Sequence, residues 1–115
     1  MSIPTLAPYT MPTQTIPNKV DWTPEAPRAA LLIHDMQDYF LDKYDVQAAP
    51  IPDLLDNISR LRAQCDLAGI PVFYTAQPID QAPADRALLN DFWGPGLTAP
   101  QYHARQGITA RLAPR

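Results

Sequence analysis

The chain has 115 residues, 46% hydrophobic and 18% charged, with a formal net charge of −3. That length holds one small domain, and the apolar share belongs to a folded rather than a disordered chain. The acidic balance and scattered basic residues exclude the electrostatic footprint of a nucleic-acid or anionic-membrane binder. A single cysteine, Cys65, rules out an internal disulfide. No apolar stretch reaches bilayer-spanning length, and Met1-Ser2-Ile3-Pro4 lacks the basic start and apolar middle of a secretory signal. The composition predicts a soluble cytoplasmic protein, a compartment that suits an unpaired thiol.

Six of the 14 prolines (Pro4, Pro8, Pro12, Pro17, Pro24 and Pro27) precede residue 28. Regular secondary structure cannot run through that spacing. The same stretch keeps Ile3, Leu6, Tyr9, Met11, Ile16, Val20 and Trp22, which is too apolar for a linker. Residues 1–28 are therefore expected to form an extended arm that packs on a body, its own or a partner's, and residues 29–115 an α/β unit.

The unit opens with Ala29-Ala30-Leu31-Leu32-Ile33, an unbroken apolar run that predicts a strand buried on both faces, as in a helix-covered parallel sheet. His34 and Asp35 follow at its end. Ligands gather outside the carboxyl ends of such strands, so Asp35 is a candidate for chemistry. It is equally a candidate for capping the next helix. His34 is expected to pack or hydrogen-bond beside the strand end rather than to ligate a metal, since no metal-ligand spacing accompanies it or His103. A short helix is expected from Met36, carrying Tyr39 and Phe40, and a loop over 42–52.

From Asp53 to Ala68 the apolar residues Leu54, Leu55, Ile58, Leu61, Cys65 and Ala68 form the stripe of a helix lying on a core. Asp53 and Asp56 favour its positive N-terminal end. Gly69-Ile70-Pro71 stops it, glycine for a left-handed cap and proline against continuation. Cys65 lies on the stripe and reads as a small core residue, not a nucleophile. A second buried strand is expected over Pro71–Gln77, completing a βαβ unit with a right-handed crossover. Asp35 and Gln77 would then border one crevice. Pro83 opens a predicted helix over Ala84–Phe92, ending in the turn Trp93-Gly94-Pro95-Gly96. The tail is expected to turn helical over Ile108–Leu112. Four glycines leave no material for a phosphate-binding fingerprint.

Taken in order, Tyr9-Thr10-Met11-Pro12-Thr13, Asn18-Lys19-Val20-Asp21-Trp22, His34-Asp35-Met36-Gln37 with Tyr39-Phe40, Tyr74-Thr75-Ala76-Gln77-Pro78 and Asp91-Phe92-Trp93-Gly94-Pro95-Gly96 form a specific combination. It covers nearly the whole chain and resembles the isochorismatase family of the cysteine-hydrolase-like superfamily. The resemblance implies a Rossmann-like α/β fold with a six-stranded parallel sheet. It implies hydrolysis of the vinyl ether of isochorismate to pyruvate and 2,3-dihydro-2,3-dihydroxybenzoate, a catechol-siderophore precursor. Close relatives act on the 2-amino analogue in phenazine synthesis. No metal or organic cofactor is implied. By motif, Asp35 matches the catalytic acid, Gln77 and Arg86 match residues that hold the substrate, and Phe40 and Trp93 match aromatic walls. Without that context Arg86 would read as a solvated helix residue and Trp93 as core.

The reaction protonates a carbon, so it needs an acid and not a nucleophile. An ordinary aspartate, with pKa about 3.9, is protonated in only about one molecule in a thousand at pH 7, a cost of about 4 kcal/mol. Burial and neighbouring substrate carboxylates reduce that cost.

The family's pattern continues into further strands, one carrying a lysine that assists the acid. Lys19 and Lys43, the chain's lysines, stand in no matching context. The chain is thus expected to be a partial Rossmann-like sheet, cut short, with open edges and marginal stability. It would then be a homo-oligomer or depend on a partner supplying the rest. An amidase-type relative with a nucleophilic cysteine fits less well, because Cys65 sits on a helix stripe. A non-catalytic fragment that pairs with a full-length homologue is the remaining alternative.

Overall fold

The computed structural model describes residues 2–115; Met1, the first residue of the expected arm, lies outside them. Two strands, β1 (Leu31–His34) and β2 (Val72–Thr75), pair in parallel with Leu31 opposite Val72 and His34 opposite Thr75. The chain between them carries a one-turn helix α1 (Asp38–Leu41) and the long helix α2 (Ile51–Ala68), which packs on both strands. This is the βαβ order read from the sequence, in a mixed α/β chain with a small parallel sheet.

Helix α2 starts two residues before Asp53, at Ile51, because Pro52 suits the first turn of a helix. It ends where expected. Gly69 adopts φ 69°, Ile70 N–H donates to the Cys65 carbonyl, and Gly69 N–H to that of Asp66, a Schellman closure that needs a left-handed residue. Leu54, Leu55 and Ile58 are half-buried and Cys65 is buried, whereas Leu61 and Ala68 on the predicted stripe are exposed. The buried place beside them belongs to Arg62. Its Nη1 donates to the carbonyls of Leu112 (2.8 Å) and Ala113 (3.0 Å) and to the Tyr74 hydroxyl (3.0 Å), and its Nη2 to the Arg111 carbonyl (3.3 Å). A cation can be buried there because main-chain oxygens replace its water.

The strand expected over 29–33 is displaced to 31–34, so His34 belongs to it; the second is shortened from 71–77 to 72–75. Burial on both faces is not found. Alternation puts Leu31, Ile33, Val72 and Tyr74 toward α2 and Leu32, His34, Phe73 and Thr75 on the opposite side. On that side Leu32 and Phe73 remain 58% and 57% exposed, because no described element covers it.

The first turn begins at Asp38 instead of Met36, since Gln37 is still extended and bridges antiparallel to Ile108. The helix expected over 84–92 breaks into α3 (Pro83–Arg86) and α4 (Leu89–Trp93) at Ala87, which takes φ 47°. Asn90 Nδ2 holds the break, donating to the Pro83 and Ala87 carbonyls. The tail forms short 3-10 turns at Pro100–Arg105 and Ala110–Leu112, not a helix over 108–112. Leu112 reaches the core with Ile33, Ile51 and Cys65. Residues 2–25 carry no helix or strand; Leu6 and Tyr9 donate their N–H groups to the Lys43 and Ala49 carbonyls, while Ile16 and Trp22 stand exposed. Among the described residues no helix is long and apolar enough to cross a membrane.

Candidate active site at the carboxyl ends of the strands

Asp35 is the first residue beyond β1 and takes φ 48°, a left-handed conformation that aspartate tolerates better than most side chains. That turn leaves its N–H within reach of the neighbouring strand, where it meets the Thr75 carbonyl (3.2 Å) and the Thr75 hydroxyl (3.0 Å). The hydroxyl in turn donates to Asp35 Oδ1 at 2.7 Å. Asp35 therefore does not cap α1, whose N-cap residue is Gln37 and has no side-chain cap. Its side chain is 22% exposed, against 72% for that of His34. His34 Nδ1 lies 2.7 Å from Thr75 Oγ1, and Nε2 lies 3.7 Å from Asp35 Oδ2. His34 is thus hydrogen-bonded at the strand end, as its position predicts.

Gln77 leaves the end of β2 under the control of a side chain that sequence reasoning passed over. Gln37 is 0% exposed. Its Oε1 accepts from Gln77 N–H (2.7 Å) and its Nε2 donates to the carbonyls of Gln77 (3.0 Å) and Gln106 (2.6 Å). One amide thereby satisfies both main-chain groups of Gln77, as a strand neighbour would. The sequence marks Gln37 only as a member of the His34-Asp35-Met36-Gln37 motif and gives it no role; the role follows from the return of the chain at 106–108.

Arg86 ends α3 and is 5% exposed. The positive φ at Ala87 and the turn after α4 fold over it, so that Nε donates to the Gly94 carbonyl at 2.9 Å. A Cβ on Gly96, which takes φ 53°, would come within 2.7 Å of Arg86 Nη2. Glycine is required there on both counts. Among the described residues no carboxylate lies within 4.0 Å of this guanidinium.

Phe40, Gln77, Arg86 and Trp93 line one cleft of about 100 Å³ with Ile3, Tyr39 and Leu89. The structure thus brings together four of the five sequence-predicted site residues. The fifth, Asp35, stands at the same end of the sheet but does not line this cleft. Tyr39, a motif neighbour of Phe40 to which the sequence gives no site role, is buried against Phe40 and Tyr102 with ring centroids 5.1 and 5.2 Å away. Burial pushes its phenol above the ordinary 10.0, Tyr102 adds to the shift, and the Arg86 charge opposes it. The phenol therefore stays neutral.

Comparison with known proteins gives this arrangement its context. The sequence profile described as an isochorismatase domain matches residues 29–109. Across 99% of its length the chain is 53% identical to the isochorismatase of Bacillus subtilis (strain 168), covering 36% of that protein. Across 99% it is 50% identical to enterobactin synthase component B of Escherichia coli (strain K12), covering 40%. Across 97% it is 41% identical to phenazine biosynthesis protein PhzD1 of Pseudomonas aeruginosa, covering 53%. The chain spans a part of each relative, not the whole. Asp35 and every cleft residue but Ile3 fall inside residues 29–109; the profile and the identities agree, and the chain belongs to the isochorismatase family.

Proposed function

We propose that this chain carries the acid and the substrate-holding part of an isochorismate hydrolase. In this reading residues 1–28 are an arm and 29–115 the α/β unit, working in the cytoplasm. The observation that carries the proposal is the cleft around Arg86, a buried cation whose nearest described partner is a main-chain carbonyl. A planar guanidinium so placed is suited to a carboxylate taken up bidentately. Gln77 offers an amide beside it, and Phe40 and Trp93 offer apolar walls for a cyclohexadiene ring.

Asp35 then acts as general acid. Its proton goes to the terminal carbon of the vinyl ether, which leaves an oxocarbenium ion. Water adds to that ion and returns a proton to the carboxylate. The hemiketal collapses to pyruvate and 2,3-dihydro-2,3-dihydroxybenzoate. A carboxyl group desolvated under an anionic substrate favours its neutral, proton-donating form. The names of two relatives, isochorismatase and enterobactin synthase component B, favour isochorismate over the 2-amino analogue that the phenazine relative brings to mind.

A second reading concerns assembly. A small-molecule site usually encloses about 300–1,000 Å³, well above the 100 Å³ of this cleft, and Leu32 and Phe73 leave one sheet face open. Both observations support a working unit that includes further polypeptide, a second copy or a homologous chain.

The test is pyruvate release from isochorismate and from its 2-amino analogue, by the purified chain beside Asp35→Ala. Release from isochorismate that falls by about a hundredfold or more in the variant is the expected result. Undiminished release by Asp35→Ala would overturn the assignment of the acid.

A further inference from the structure

The exposed histidine next to the acid takes no part in the vinyl-ether hydrolysis itself, yet it shares a hydrogen-bonded hydroxyl with the acid. We infer that His34, Thr75 and Asp35 form a reversible proton relay, in which the Thr75 hydroxyl changes hydrogen-bond direction with the state of Asp35 and the acid is loaded from solvent through the His34 ring. The inference deepens the vinyl-ether reading and takes its catalytic meaning from it.

The parallel register sets the geometry. His34 and Thr75 stand opposite each other on the open side of the sheet, and Asp35 follows directly. Thr75 Oγ1 accepts the Asp35 N–H at 3.0 Å and lies 2.7 Å from both Asp35 Oδ1 and His34 Nδ1. A hydroxyl has one proton to give and two lone pairs to fill, so three close partners use its whole capacity. When Asp35 is ionised it can only accept, and the hydroxyl proton points to Oδ1. The remaining lone pair then needs a donor, which requires the proton of neutral His34 to sit on Nδ1. When Asp35 is protonated, its O–H donates to Oγ1. The hydroxyl proton turns to His34 Nδ1, which must be bare, and the ring carries its proton on Nε2.

Passage of one proton converts the first pattern into the second. A hydronium ion of the solvent protonates Nε2 and leaves as water, Nδ1 gives its proton to Oγ1, and Oγ1 gives its own to Oδ1. Both patterns leave all three groups satisfied, and the charge pair of the loaded ring and the carboxylate becomes two neutral groups. The ring is 72% exposed and Asp35 22%, so His34 is the member that meets water. A direct route is closed, because Nε2 to Oδ2 is 3.7 Å, beyond hydrogen-bonding distance. Among the described residues His34 is the one basic group within 4.0 Å of the Asp35 carboxyl. Thr75 is thus a positioning residue and His34 the solvent end of the chain.

The experiment is nitrogen NMR of the full chain with labelled histidine, above the range in which imidazole titrates, with His34→Gln to separate His34 from His103. The expected result is His34 in the Nδ1–H form, a return to the Nε2–H form in Thr75→Val, and the Nδ1–H form again in Thr75→Ser. An Nε2–H ring in the unsubstituted chain overturns the relay, whether or not Thr75→Val folds. So does an Nδ1–H ring that Thr75→Val leaves unchanged. In pyruvate release, Thr75→Val and His34→Gln should lower kcat by about tenfold or more at unchanged KM, while Thr75→Ser retains it. Pyruvate release with an Nε2–H ring removes the relay and leaves the hydrolase reading. No release with a Thr75-dependent Nδ1–H ring removes the hydrolase reading and leaves the hydrogen-bond chain.

Discussion

Gln37 and Arg86 are single side chains whose burial decides what the site can be. Gln37 stands in for a missing strand neighbour, closing both main-chain groups of Gln77 and one of Gln106. Gln37→Leu keeps the volume and removes every one of those bonds. At about 1–3 kcal/mol for each buried group left unpaired, it should cost about 3 kcal/mol or more of stability in urea denaturation. A loss below about 1 kcal/mol would mean that water replaces the amide at little cost. Arg86 was legible only as a motif position, since an arginine on a short helix is ordinarily solvated. The structure buries it because the break at Ala87 and the glycines at 94 and 96 let the chain fold over it. Asp35 was open between capping and chemistry, and its hydrogen bonds to Thr75, 40 residues away, exclude the cap.

Among the elements, α2 was the most legible and also held the least expected contact. Its apolar stripe and its glycine stop are local properties: the stop stands in the structure, and the stripe holds at Leu54, Leu55, Ile58 and Cys65 but not at Leu61 and Ala68. The identity of its buried residues is not local. Arg62 displaces Leu61 from the interior because the tail returns three carbonyls to that spot. Arg62→Met keeps an unbranched stem and removes the donors. It should destabilise the chain by about 2–4 kcal/mol and speed amide exchange over 110–113 ahead of the rest of the molecule. Uniform exchange with no early release of the tail would show that Leu112, not Arg62, holds it. The helix expected over 84–92 fails for a comparable reason. Its residues suit a helix, but the chain spends a strained φ at Ala87 to turn Arg86 inward.

For the molecule as a whole, the open side of the sheet is the dominant physical fact. Leu32 and Phe73 are paired neighbours at the centre of that face and both are more than half exposed. Burying two such side chains is worth about 1.5–3 kcal/mol each, so the face should drive association. We expect the isolated chain to self-associate with rising concentration. Leu32→Thr with Phe73→Thr should reduce that association in light scattering while leaving the melting temperature nearly unchanged. A marked drop in melting temperature instead would mean that this face is already covered in solution.

The sequence by itself determined the order strand, helix, strand, the glycine stop of the long helix, the buried place of Cys65 and the family. These rest on periodicity, on glycine and proline punctuation and on ordered motifs, all of which act over a few residues. Only the tertiary structure decided that the strands are covered on one face, that Gln37 and Thr75 hold Gln77 and Asp35, and that Arg62 and Arg86 are inside. For Gln37, Thr75 and Arg62 the outcome depends on which groups return to the same place after separations of 40 residues or more, as between Gln37 and Gln106; for Arg86 it depends on the break at Ala87 and the turn through Gly94 and Gly96, and apolar periodicity carries neither.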